Sequence, residues 1–272
     1  MKKNLFALLL VATVIFTVAV SGLSSSGQRE RSRDRDSEDS EFSEKDEFHQ
    51  TYQLSAGARV EVRGINGAVE IETAPGSTAE VNVVRSARTR EDLEFHKVLV
   101  EQTATSLVVQ GEKDHSGSSR GHNVRQHVTL RLPRQVDLAV SGINGRATVG
   151  QIDGPVKLSG INGRVEVAQA MGYSDISGIN GQVKMTISQL GERGIHVSGV
   201  NGGVELFFAE DLNADLDVTG INGSVNPAVA NVTVLGKIDR QNFHAKIGAG
   251  GSPIKVSGVN GHVKLSRVGA PG

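Results

Sequence analysis

From residue 49 to residue 265 apolar side chains recur at every second position. The stretches "RVEVRG", "AVEIET", "AEVNVV", "SLVVQG" and "HVTLRLP" are typical. Strict alternation reads as β-strands with one buried face. Residues 89–98, "TREDLEFHKV", interrupt it with a stretch suited to a turn or two of helix. Residues 111–123, "GEKDHSGSSRGHN", read as an exposed polar insertion between strands.

Superimposed on the alternation is a tetrapeptide, Gly-Ile/Val-Asn-Gly, written seven times. The copies are Gly64-Ile65-Asn66-Gly67, Gly142-Ile143-Asn144-Gly145, Gly160-Ile161-Asn162-Gly163, Gly178-Ile179-Asn180-Gly181, Gly199-Val200-Asn201-Gly202, Gly220-Ile221-Asn222-Gly223 and Gly258-Val259-Asn260-Gly261. Their spacings are 78, 18, 18, 21, 21 and 38. A period near twenty is the signature of stacked repeats. The flanks repeat as well: Val156, Leu158, Val165 and Val167 around Gly160 correspond to Ile195, Val197, Val204 and Leu206 around Gly199.

Two geometries fit the motif. Asn-Gly favours a two-residue hairpin, which would pair Leu158 with Val167 and leave Ile161 on the solvated face. A bend between successive strands of a coil would instead turn Ile161 inward, with Gly and Asn supplying the backbone conformations other residues resist. The residue after the motif decides between them. It is Ala68, Arg146, Arg164, Gln182, Gly203, Ser224 or His262, whereas the second motif position is always Ile or Val. A solvated face does not demand a β-branched aliphatic seven times, so the bend is expected. The fold class is then all-β, a β-solenoid over 48–267 with coils of about 18–21 residues. Ile65, Ile143, Ile161, Ile179, Val200, Ile221 and Val259 form its core ladder, the Gly residues its corners. Asn144, Asn162, Asn180, Asn201 and Asn222 form a parallel amide ladder, with caps or insertions before Gly142 and over residues 226–251.

Laid out this way, the chain resembles the bacterial "putative adhesin" domains of unknown function, among them the autotransporter-adhesin-like "head GIN domain" group. The resemblance rests on "VEVRGINGAVEIET", "HVTLRLPRQVDLAVSGINGRATVG", the tandem coils and "IGAGGSPIKVSGVNGHVKL". It implies a β-solenoid on an exported, envelope-associated protein, and brings no set of catalytic or binding residues.

The N-terminus agrees with export. Lys2 and Lys3 lead into an uncharged apolar run, "LFALLLVATVIFTVAV", and Ala19-Val20-Ser21 offers a cleavage site. This is a secretory signal pattern, short for a membrane span of about 20 residues. A signal peptide is therefore expected over 1–21, with membrane contact only through it where it stays uncleaved. From Gln28 to Glu47 most side chains are charged and Phe42 is the only large apolar one, which predicts a disordered linker over 22–47. A disordered tail is expected over 268–272.

Composition narrows the chemistry. A net charge of −1 gives no footing for nucleic acid, and zero Cys removes disulfides, thiolate metal sites and a cysteine nucleophile. The eight His show no metal-ligand spacing. Residues 248–252, "GAGGS", lack the lysine of a phosphate loop and read as a turn. Outward positions Lys157, Glu166, Asp175, Lys184, His196, Glu205 and Asp217 alternate in sign like a solvated face. No catalytic residue, cofactor or metal is expected. The expected function is a non-enzymatic, exported envelope or surface protein, an adhesin or scaffold whose partner is a surface protein or polysaccharide. The alternatives are a filament-forming element built by self-association and a polysaccharide-active β-helix enzyme.

Overall fold

The computed structural model describes residues 42–113, 124–170, 172–187, 189–209, 211–228, 232–235 and 242–268. The expected signal peptide, most of the expected linker, residues 114–123 of the polar loop and residues 269–272 of the expected tail lie outside them. The described chain is almost entirely β. In chain order its strands are β1 (Glu44–Gln53), β2 (Ala58–Arg63), β3 (Gly67–Ala74), β4 (Thr78–Ala87), β5 (His96–Thr103), β6 (Ser106–Lys113), β7 (Val124–Pro133), β8 (Val136–Ile152), β9 (Val156–Ala170), β10 (Ser174–Ile187), β11 (Ile195–Phe208), β12 (Ala214–Thr219), β13 (Asn222–Ala228), β14 (Val232–Val234), β15 (Asn242–Ile247) and β16 (Ser252–Arg267). The helix, α1, is Arg90–Phe95. Thr89 caps it through a reciprocal bond with Asp92.

All sixteen strands belong to one hydrogen-bonded sheet. Its middle is a run of parallel neighbours, β8, β9, β10, β11 and β16, each with one Gly-Ile/Val-Asn-Gly copy in mid-strand. Ile143 pairs with Ile161, Ile161 with Ile179 and Ile179 with Val200. Leu158 pairs with Val140 and Ile176, not with Val167 as a hairpin would require. At the motif the buried alternation breaks: Leu158, Ile161 and Val165 are buried while Gly160, Asn162 and Arg164 are exposed. Gly160 has φ 61° and Gly163 φ 151°. A Cβ on Gly163 would collide with the Gly145 carbonyl oxygen of the strand before it, so the fourth motif position admits no side chain.

Between neighbouring motif strands most buried aliphatic positions meet another aliphatic. One row runs Val62, Val140, Leu158, Ile176, Val197, Val256 and Val218; another runs Val69, Ala147, Val165, Val183, Val204, Val263 and Val225. Most are fully buried. At roughly 1.5–3 kcal/mol for each fully buried aliphatic side chain, these rows are the main favourable term for the stack.

The spatial order departs from the sequence order in one place. The last strand, β16, lies between β11 and the pair β12 and β13, all of which precede it. Val259, not Ile221, is therefore the neighbour of Val200. Equivalent repeats pair interchangeably, so chain order alone does not dictate which motif strand lies beside which.

Antiparallel strands finish the two ends. β7 adds to β3 in parallel, then β4 and β1 follow antiparallel; β6 adds to β2 in parallel, then β5 antiparallel. At the other end β15 and β14 follow β12. β1 starts at Glu44, so residues 44–47 of the expected linker belong to the sheet. Arg85 explains how such charged residues are ordered: buried on β4, its guanidinium pairs with the Asp46 carboxylate and donates to the Leu93 and His96 carbonyl oxygens at 2.7 and 2.6 Å. Phe42, also buried, lies under the Arg125 guanidinium at 4.2 Å. The expected helical stretch divides at His96, where α1 ends and β5 begins, and residues 111–113 of the polar loop continue β6.

Candidate functional surface

Each motif copy contributes an asparagine, exposed in six copies and half-buried at Asn66, and the register brings all seven into line. The Nδ2 of Asn144 donates to Oδ1 of Asn66 at 2.9 Å, Asn162 to Asn144 at 3.2 Å, Asn180 to Asn162 at 3.1 Å and Asn201 to Asn180 at 3.1 Å. Asn260 then donates to Asn201 and Asn222 to Asn260, both at 3.1 Å. Asn222 thus sits beyond Asn260, not beside Asn201 as chain order predicts. The ladder has a fixed polarity. Asn66 Nδ2 donates to the Val124 carbonyl oxygen at 2.9 Å; a carbonyl only accepts, so every amide above it is oriented the same way. The buried Gln126 completes this end, its Oε1 accepting the Asn66 backbone N–H at 2.9 Å.

Sequence reasoning missed both Val124 and Gln126. They lie outside any motif copy, and only the pairing of Gly67 with Gln126 brings them to the ladder. Each amide but the terminal Asn222 uses one N–H and one lone pair within the row. One further donor and acceptor per coil remain on exposed side chains, about 4.8 Å apart.

Two outer rows flank the ladder. On one side lie Ser141, Ser159, Ser177, Ser198, Ser257 and Thr219, in register and half-buried. On the other lie Arg146, Arg164, Gln182, Gly203, His262 and Ser224. A Cβ on Gly203 would sit 2.6 Å from Cε1 of His262, so the imidazole extends over the glycine. Arg146 and Arg164 are exposed register partners, and like charges directly opposite one another destabilise a sheet. Glu166 offsets one of them, its Oε1 lying 3.7 Å from Arg164 Nη1; Arg146 has Thr148 at the matching position.

Elsewhere on the outer faces the signs alternate across coils. Lys157, Asp175, His196, Lys255 and Asp217 are successive register partners, as are Glu166, Lys184, Glu205 and Lys264. The outward residues therefore fall into rows on both sides of the motif, two on each side. The arginine pair is a local exception to this alternation, placed beside the amide ladder.

Other chemistry is sparse among the described residues. No group of three or more His, Asp or Glu is gathered to hold a metal, and no described helix is long and apolar enough to cross a membrane. His127 Nε2 lies 3.4 Å from Glu70 Oε2. A cleft of about 360 Å³ is lined by residues that include Ser55, Pro75, Arg134 and Asp153. Arg134 Nη2 and Asp153 Oδ1 approach to 3.1 Å within it.

No protein-family model and no curated protein sequence matches the chain. Solved structures with a similar chain path do. A "putative cell adhesion protein" from Clostridium sporogenes ATCC 15579 is 10% identical, with TM-score 0.45, covering 82% of this chain and 100% of its own. A "putative adhesin" from Bacteroides fragilis NCTC 9343 is 10% identical, with TM-score 0.33, over 81% of this chain and 97% of its own. A "putative lipid binding protein" from Parabacteroides distasonis ATCC 8503 is also 10% identical, with TM-score 0.23, over 80% and 96%.

Proposed function

We propose that this chain is a non-enzymatic β-solenoid exported to the bacterial envelope, where it holds an extended anionic polysaccharide along its corner edge. The in-register asparagine ladder carries the reading. It supports a wound chain because β8 ends at Ile152 and β9 begins at Val156, in parallel register with it. The chain thus returns beside its own start within one motif period, bringing Ile161 next to Ile143. It supports a polymeric ligand because exposed amides recur at one strand spacing, flanked by hydroxyls on one face and the Arg146–Arg164 pair on the other. A polysaccharide presents hydroxyls at a regular interval, and acidic groups on it would relieve the repulsion between the two guanidiniums. The N-terminal signal pattern supplies the route to the envelope.

Fractionation of the native cells together with binding to a panel of acidic and neutral polysaccharides tests the proposal. The protein should reside in the envelope or medium and prefer acidic chains. The double substitution Arg146→Gln and Arg164→Gln should weaken that binding about tenfold or more, as loss of charge-assisted hydrogen bonds implies. Cytoplasmic residence, or binding indifferent to both substitutions, would overturn it. Released sugars that persist in the purified protein would favour the enzyme reading instead.

A further inference from the structure

β16 fills a slot bounded entirely by earlier parts of the chain. On one side it pairs with β11, from Ile195 with Ile254 to Phe208 with Arg267; on the other with β12 and β13. The way it enters the slot is also unusual. β15 pairs antiparallel with one edge of β12 while β16 pairs with the other, and Ile247 and Ser252 are both register partners of Ala214. Residues 248–251 must therefore cross the end of β12 and two strand spacings, roughly 10 Å, in a very short link. Gly248, Gly250 and Gly251 make the crossing with φ 59°, 84° and 155°. Ala249 N–H is held by Asn213 Oδ1 at 2.7 Å and Gly250 N–H by the Ile247 carbonyl oxygen at 3.1 Å.

Nothing in the slot distinguishes the β16 of one copy from that of another. Backbone pairing, the Asn201 and Asn222 amides and the rows at Val200 and Val204 are met equally by either. Lys255 lies between His196 and Asp217, and Lys264 between Glu205 and Asn226, so the slot favours a β16 sequence. A short connection of this kind is where an element is exchanged between copies.

We propose that β16 is an exchangeable strand. Two copies of this chain associate by each inserting its Ser252–Arg267 between β11 and β12–β13 of the other, with residues 248–251 as the hinge. Every contact within the slot is retained and only the hinge changes. Strand order alone carries this association, independently of any polysaccharide.

The absence of native Cys makes the test direct. Chains carrying His196→Cys are mixed with chains carrying Lys255→Cys, unfolded, refolded together and oxidised. Register partners on neighbouring strands lie within disulfide reach, so exchange yields a cross-linked species of twice the chain mass. Chains carrying Asp175→Cys replace the His196→Cys chains as the control, because Asp175 is not a partner of Lys255 in either arrangement. A single chain carrying both His196→Cys and Lys255→Cys should close its own disulfide, which verifies fold and register. Deleting Gly250 and Gly251 should raise the cross-linked dimer about tenfold, since the crossing in one chain then becomes strained. The proposal is overturned if the single chain closes its disulfide while the mixture stays monomeric. It is overturned equally if the control cross-links as well as the true pair, which would mark random collision.

Discussion

Asn162 donates to Asn144 and accepts from Asn180, whereas Asn222 makes a single ladder bond at the end of the row. Asn162→Ala should therefore cost about 1–2 kcal/mol and Asn222→Ala roughly half as much, with exposure keeping both near the low end. Urea unfolding of the two variants checks the ratio; equal losses would mean that the amides act only through corner conformation. Ser174 makes the opposite case. It is fully buried in a row with Val156 and Ile195, and its hydroxyl has no hydrogen-bond partner among the described residues. Ser174→Ala removes that unsatisfied oxygen and should stabilise the protein by about 1 kcal/mol, seen as a higher Tm. The inward Ile or Val of the motif was legible from sequence because it never varies against a freely varied neighbour. Ser174 was not, since its place in an aliphatic row depends on residues one coil away on either side, and a serine near a strand start reads as a turn.

Alternation made most strands legible, and two things escaped it. The first is β1, whose initial residues are charged on both faces. Composition reads such a stretch as disordered, yet backbone pairing with β4 and the Arg85–Asp46 pair order it. The second is the position of β16. Motif copies are equivalent in the core, so the choice of neighbour falls to connection lengths and outer charges. Lys264 lies beside Glu205 of β11 and Asn226 of β13; in strict chain order Asn226 would have taken its place. Lys264→Glu sets two carboxylates side by side across β11 and β16. It should destabilise by about 0.5–1 kcal/mol at low ionic strength and by less in concentrated salt. Thermal melts at low and high salt measure this, and a loss unaffected by salt would point to packing instead.

At the scale of the whole molecule the sheet is held by contacts between neighbouring motif strands, and these strands are interchangeable in the core. Val156 pairs with Leu138 on one side and Ser174 on the other, at the same offset that separates Asn144 from Asn162 and Asn162 from Asn180. Removing residues 156–173 therefore deletes one complete repeat and leaves β8 facing β10 with the motif rows intact. Asn144 would meet Asn180, Ile143 would meet Ile179 and Gly145 would meet Gly181. In a repeat array governed by nearest neighbours the cost is one repeat and one interface out of several. The shortened protein should fold, keep its β-type circular dichroism and unfold at lower urea with a smaller m value. Removing residues 156–165 instead takes out part of a repeat and joins a link to the middle of a strand. Leu138 would then meet Glu166, Ala147 would meet Asp175 and Tyr173 would lie where Gly145 needs a glycine beside it, so that variant should not fold. Equal tolerance of both deletions would show that the rows do not set the register.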